Sequence, residues 1–516
     1  MTITPEVLGA ERIEFFVGPV ELTVWVEDLE TYAADGTITQ RFSLFARNLN
    51  DDQRRQLQSF LNWRLDANLS TIAQFTYWQV GERFLDRLGQ VVQTNSLLNG
   101  SRPLRAAMIA AAADGDGVTP LELIQAFPLD TVQLNYALAT QLIQENQTFF
   151  ANRDTVMAQL RTRAKAAATP VEALSLAKDP VAPGRFTWQK ETLTFQNPLR
   201  EGDIPFELYR PLRPATDAIP VVVISHGVAS NRYSFTYLAE HLASHGYAVA
   251  IPEHDDDTQK YQHFLAGVDR PPNPITLISR PLDISHTLDT LDNLAQTHEG
   301  YANLNLTAVG VLGHSLGGYT VLAAAGAGFD FEALRSNCSL EERDRPSLNL
   351  SLLVQCDLLD LADEAPFQLH DQRIQAVLAI SPPTSLFFGP SGLSQIDVPT
   401  LMVAATADIV VPAIPEQIQP FQWLQTEHCY LVVMENGTHF SFLGGNTLAG
   451  AIPLPMALLG PSPEYARPYL EAVGLAFFDR YLLNDRAAEQ VLDQAYFDAQ
   501  APGPFEFMLL KPSPSL

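Results

Sequence analysis

The chain has 516 residues, 46% of them apolar and 18% charged, with 32 basic against 59 acidic side chains and a net charge of −27. That is ample material for a core and for two or three domains, and the acidic excess argues against nucleic acid or an anionic membrane surface as partner, because phosphate binding needs a local basic surplus. No uninterrupted apolar run approaches the roughly 18 residues of a membrane span, and residues 1–12 show neither the basic nor the apolar region of a secretory leader. A soluble chain of open compartment and open oligomeric state is the expectation.

In chain order, residues 13–17 and 21–26 read as two short strands around the turn signal Gly18-Pro19. Residues 51–65 place Leu57, Phe60, Leu61 and Leu65 at helical spacing. Ser70-Thr71 is the expected cap of the next helix, which carries Ile72, Phe75 and Trp78. Further helices are expected over 104–113, 120–126 and 131–146. Asp114-Gly115-Asp116-Gly117 has the look of a calcium loop but lacks the other ligands and the twelfth-position Glu, so it reads as a turn. These elements make residues 1–150 a mostly helical domain with a short hairpin. Residues 151–185, rich in Ala, Thr and Pro, read as a helical tail and linker.

Beyond the linker the texture changes. Residues 186–195 and 205–209 look like an antiparallel pair. Six nearly all-apolar runs follow, at 220–225, 248–251, 308–312, 374–380, 400–405 and 430–434, alternating with helical segments. Strands buried on both faces read this way, and the alternation predicts an α/β fold with a mainly parallel central sheet flanked by helices. Residues 328–371 fit neither pattern and have the length of a cap insertion. Its Cys338 and Cys356 are close enough in sequence to pair in an oxidising compartment, although their spacing does not decide it, and with Cys429 they match no zinc motif.

The decisive motif is Gly313-His314-Ser315-Leu316-Gly317, directly after the run 308–312 and opening a helix of small residues. Strand, G-x-S-x-G, helix is the context of a nucleophile elbow. Ser315 is the candidate nucleophile. Asp408 and His439 each follow a later strand, in the order Ser, acid, His, and are the candidate orienter and general base. Glu435 is a weaker rival acid, too close in sequence to His439. The backbone N–H groups of Leu316 and Val228 are the candidate oxyanion donors, Val228 coming from Ser225-His226-Gly227-Val228 after the first central strand. His226 reads as a structural brace for that loop rather than a proton carrier. The consecutive residues of Glu253-His254-Asp255-Asp256-Asp257 cannot converge on one ion without a special loop, so a hydrogen-bonded rim is favoured over a metal site. Neither a metal nor a cofactor is expected.

Residues 185–482, through Ser225-His226-Gly227, Leu242-Ala243-Ser244-His245-Gly246-Tyr247, Pro252-Glu253-His254 and Gly313-His314-Ser315-Leu316-Gly317-Gly318, resemble the α/β-hydrolase superfamily. Within it they are most similar to the platelet-activating-factor acetylhydrolase-like and dienelactone-hydrolase-like branch. Dienelactone hydrolases use a cysteine nucleophile; Ser315 departs from that. The first module, through Glu11-Arg12-Ile13, Gly18-Pro19 and Leu29-Glu30-Thr31-Tyr32, resembles an uncharacterised domain fused ahead of bacterial hydrolases. The resemblance implies an α/β-hydrolase catalytic domain over 186–516, with the triad on Ser315, Asp408 and His439.

The expected function is serine carboxylic-ester hydrolysis through an acyl-enzyme, on apolar short-to-medium acyl esters and, in the same chemistry, polyesters. His226, Gly227, His314, Phe440 and Phe442 are the expected substrate-side residues. The apolar run 448–459 is a candidate acyl wall, and the cap insertion with the N-terminal module a candidate roof. The rivals are a lipase or phospholipid acylhydrolase acting on lipid-like esters, and a non-catalytic binding protein on the same fold.

Overall fold

The structure is a computed structural model that describes residues 9–171, 174–214, 216–338, 349–444, 459–500 and 503–512. Two compact units are present, one built mainly on the first 152 residues and one on the bulk of the chain from Arg153 onward.

The first unit carries a four-stranded sheet in the order β2-β1-β4-β3, formed by β1 (Arg12–Val17), β2 (Val20–Trp25), β3 (Val92–Gln93) and β4 (Thr131–Leu134). The β1–β2 hairpin turns at Gly18, whose φ of 61° suits glycine. Two expectations fail here. Thr131–Leu134 is a strand, pairing parallel with β1, and the helix begins only at Tyr136. Its β-branched, fully buried start suits a pleated interior better than a helix. The helix Leu69–Tyr77 is capped by Asn68, whose side chain accepts from the Thr71 N–H at 2.9 Å, so Ser70 and Thr71 lie inside it. Asp114–Gly117 is a turn in which Asp114 accepts from the Asp116 N–H. The core of this unit gathers Phe15, Leu29, Tyr32, Phe42, Leu85 and Phe127.

The second unit is built on nine strands in the order β13-β12-β11-β10-β9-β7-β8-β6-β5. They are β5 (Trp188–Phe195), β6 (Ile204–Pro211), β7 (Ile219–Ser225), β8 (Ala248–Pro252), β9 (Leu304–His314), β10 (Ile374–Ile380), β11 (Thr400–Ala405), β12 (Cys429–Glu435) and β13 (Glu506–Leu510). Strands β7 to β12 are mutually parallel, while β5–β6 at one edge and β13 at the other are antiparallel additions. This is an α/β-hydrolase fold. Side chains alternate between two apolar layers. On β10, Val377 and Ala379 enter one layer with Ile284, Leu288 and Tyr319; Leu378 and Ile380 enter the other with Leu238, Leu242, Phe477 and Phe478. Alternation with burial on both faces explains why the runs look uniformly apolar.

The chain leaves β7 for β8 on one side and returns as β9 on the other, with Ser225 in register with Gly313. Such a reversal opens a crevice at the carboxyl ends of the two strands. The segment after the helix Tyr136–Ala167, expected to be a linker, is anchored on this unit: Thr169 bonds Asp493, Ser175 N donates to Gln490, and Gly184 N donates to Ser244. Among the described residues of the insertion, the helix Phe331–Asn337 and the helix Ser351–Gln355 are joined by a Cys338–Cys356 disulfide. Residues 339–348 of the insertion lie outside the described residues.

Leu378 is fully buried at the centre of the sheet. Leu378→Ala is expected to cost about 2–5 kcal/mol, read as a lower denaturation midpoint at unchanged slope.

Candidate active site

Ser315 stands between β9 and the helix Leu316–Ala324 with φ 56° and ψ −125°, a conformation costly for a side-chain-bearing residue. The turn closes because two glycines let backbone meet backbone. A Cβ on Gly313 would lie 2.0 Å from the Gly317 carbonyl oxygen, and one on Gly317 2.1 Å from that of Ser225. The Ser315 N–H donates to the Ile380 carbonyl, and its own carbonyl accepts from Gly318 and Tyr319. Its Oγ is thus held at the crest of the sheet, over the helix N-terminus and its partial positive charge.

His439 Nε2 lies 2.9 Å from Ser315 Oγ, and His439 Nδ1 lies 2.6 Å from Asp408 Oδ2. All three residues are 5–6% exposed. The other Asp408 oxygen accepts the N–H groups of Val410 and Val411, so the carboxylate both turns its own loop and faces the imidazole. Glu435 does not approach His439 in this way; it pairs with Arg161.

Loop 226–228 lies against the serine: a Cβ on Gly227 would sit 3.1 Å from Ser315 Cβ. Leu316 is the first residue of its helix, so its N–H has no acceptor within the helix. His226 is fully buried, with Nδ1 2.8 Å from the Gly227 carbonyl and Nε2 3.0 Å from Glu253. His314 donates Nε2–H to the His439 carbonyl at 2.8 Å. Burial pushes its imidazole down to about 3, with His439 adding to the shift. It is a neutral buried strut of the base's backbone, which corrects its expected place on the substrate side. Phe442 is 3% exposed and packs in an apolar layer, so its ring too is core. Phe440 is half-buried, edge-on to the His439 ring at 5.4 Å. Residues 448–458 of the candidate acyl wall lie outside the described residues.

The acidic run after β8 is hydrogen-bonded, with Glu253, His254 and Asp256 buried and Asp255 and Asp257 half-buried. Glu253 meets His226 and Arg232, Asp256 meets Arg280, and Asp257 accepts the Lys260 N–H. His254 Nε2 lies 2.8 Å from Ser225 Oγ, and His254 Nδ1 2.8 Å from Asp283 Oδ2. Burial holds His254 well below the usual imidazole range, helped by Arg280, and pushes the Asp283 carboxyl up to about 7 against the pull of Arg200. Among the described residues no three His, Cys, Asp or Glu side chains converge as a metal site would require. Arg200, Arg280, Asp283 and Thr320 were not legible as site residues; their one signal is Arg280 and Asp283 three apart, the charged members of a helix face whose other buried residues are uncharged.

Such a relay, set over a helix N-terminus at the crest of an α/β-hydrolase sheet, has the parts to remove a proton from a serine and stabilise the imidazolium that results. The chain is a hydrolase. A family model described as "Alpha/beta hydrolase of unknown function (DUF1400)" matches residues 9–135, and one described as "Platelet-activating factor acetylhydrolase, isoform II" matches residues 184–274. The second match spans β5 to β8, including loop 226–228 and residues 253–257, and stops short of Arg280, Asp283 and Ser315. A search of curated proteins finds no match. No helix among the described residues is long and apolar enough to cross a membrane.

Gly317→Ala would drive a methyl group into the Ser225 carbonyl. We expect a lowered melting temperature together with loss of labelling of Ser315 by an organophosphonate, both read on the purified variant.

Proposed function

We propose that the protein is a serine carboxylic-ester hydrolase. The observation that carries this is the unbroken contact from Ser315 Oγ through His439 to Asp408. Ser315 Oγ attacks the ester carbonyl while His439 Nε2 takes its proton. Asp408 holds the Nδ1–H tautomer and stabilises the imidazolium. The developing oxyanion rests on the N–H groups of Val228 and Leu316. His439 returns the proton to the departing alcohol, and the acyl chain stays on Ser315. A water that loses a proton to His439 then attacks the acyl carbonyl, and the acid leaves as Ser315 recovers its proton. Every bond-making step uses groups of this chain and water. The half-buried Phe440, edge-on to the His439 ring, favours an apolar ester, with a short-to-medium acyl chain, over a charged substrate.

The match at residues 184–274 favours a second reading on the same chemistry, a phospholipid acylhydrolase or lipase. Rates on p-nitrophenyl esters from acetyl to palmitoyl separate the two: a maximum at short chains supports the esterase, and a maximum at long chains with activation at a lipid interface supports the lipase. A binding protein on this fold would show neither.

Ser315→Ala is expected to lower kcat by about 10⁴–10⁶ with the melting temperature kept. Retention of a tenth of the rate would remove Ser315 from the nucleophile's role. Chelators should leave turnover unchanged; activity lost on metal stripping and regained with zinc would return the Glu253–Asp257 cluster to the chemistry.

A further inference from the structure

The helix Thr276–Thr297 packs Leu277, Ile278, Ile284, Leu288 and Leu291 into the core, yet it also buries Arg280 and Asp283 completely. It contains Pro281, which has no N–H, so the Leu277 carbonyl four residues earlier loses its helical donor. The Tyr319 hydroxyl, on the helix that follows Ser315, donates to that carbonyl at 2.8 Å. Beside this tie, Arg280 Nε donates to Thr320 Oγ1 at 3.1 Å, and the Thr320 hydroxyl donates onward to the Leu316 carbonyl at 2.7 Å. The remaining arms of the guanidinium reach the His226 carbonyl and the Asp256 carboxylate. Three residues beyond Arg280, Asp283 holds His254, which holds Ser225 at the root of loop 226–228. The Asp256 carbonyl in turn accepts from the Ala229 N–H at the loop's other end.

A buried charge is costly, and an apolar residue of similar volume would serve packing as well. A lysine would serve Asp256 alone; only a planar fork with donors in fixed directions joins three partners at once. Two of those partners lead to opposite sides of Ser315. His226 lies two residues before Val228, and Thr320 holds the carbonyl of Leu316 itself.

We propose that Arg280 is a positioning residue that sets the separation of the Val228 and Leu316 N–H groups, and with it the fit of the site to a developing oxyanion. The proposal rests on the ester-hydrolase reading above. The Ser225–His254–Asp283 relay is part of the same brace: all three side chains are at most 1% exposed, so no substrate reaches that serine. A donor serves the transition state only within about 2.7–3.1 Å of the oxygen that gains charge, so a loosened brace should slow chemistry without weakening substrate binding.

The test is Arg280→Lys, which keeps a cation against Asp256 but cannot also span His226 and Thr320. Expected is a fall in kcat of about tenfold to a hundredfold, part of what losing a whole donor costs, with KM within about twofold. Affinity for a trifluoromethyl ketone, which forms a tetrahedral adduct on Ser315, should fall by the same factor, while affinity for the product acid stays. A folded variant with unchanged kcat, or with the loss in KM instead, overturns the proposal. If melting shows that Arg280→Lys does not fold, Thr320→Val decides, since it cuts the link to Leu316 and leaves the Arg280–Asp256 pair. There a threefold or larger fall in kcat, matched by the ketone, supports the brace, and an unchanged kcat overturns it. The wild-type chain is treated alongside with a fluorophosphonate. Failure to label Ser315 would sink the hydrolase reading itself, whereas labelling beside an undiminished variant would sink only the brace.

Discussion

Everything at the site depends on how closely the strand β7 and the helix after Ser315 are allowed to approach. Gly317 lies against the Ser225 carbonyl and Gly313 against the Gly317 carbonyl, at separations that no side chain tolerates. That contact forces Ser315 into its positive-φ conformation and aims Oγ away from the sheet. It also brings loop 226–228, the continuation of β7, beside the serine. The nucleophile and one candidate donor are therefore positioned by a single backbone contact, and the helix N-terminus supplies the other.

A strained turn persists only where its surroundings over-determine it. Here they do so with buried polar groups. Arg280, Asp283, His254 and Ser225 lie below loop 226–228, and His314 ties the elbow to the backbone of His439. Glu416 does comparable work on the other side. Fully buried, it accepts the N–H groups of Thr384 and Ser385 after β10 and the side chains of Asn349 and Gln355 from the insertion. Each of these groups would be expensive to bury alone; Arg280, Asp283 and Glu416 are each satisfied by several directed bonds, whereas His314 bonds through Nε2 and leaves its Nδ1 without a hydrogen-bond partner among the described residues. Apolar layers fix where the strands lie; the polar groups fix the loops, for which an apolar contact has no directional preference.

Some of this was legible in the sequence for definite reasons. A strand buried on both faces leaves an apolar run, and so the six parallel strands β7 to β12 were readable. The elbow announces itself because only glycine fits at two of its five positions. Asp408 and His439 could be picked out because each follows a strand in the order such sites require. Other features left no local trace. Thr131–Leu134 became a strand because β1 offers it a partner, a fact about residues more than a hundred positions away. Asn68 and Ser70 are both good caps, and only the path of the entering chain selects between them. Edge strand β13 exists because β12 has a free side. Nothing in the spacing of Cys338 and Cys356 could show that their Cα atoms lie 5.7 Å apart.

The sequence by itself determined the fold class, the parallel order of chemistry-bearing loops and the identities of Ser315, Asp408 and His439 as candidates, because periodicity, glycine sterics and strand ends are local properties. Only the tertiary structure decided that His314 and Phe442 face inward, that Glu253, His254 and Asp256 are buried among hydrogen-bond partners, and that one arginine on a distant helix bonds both sides of the serine's turn. Those outcomes depend on which surfaces meet across the sheet, and a side chain's partner in a packed interior is set by the whole chain's path rather than by its neighbours in sequence.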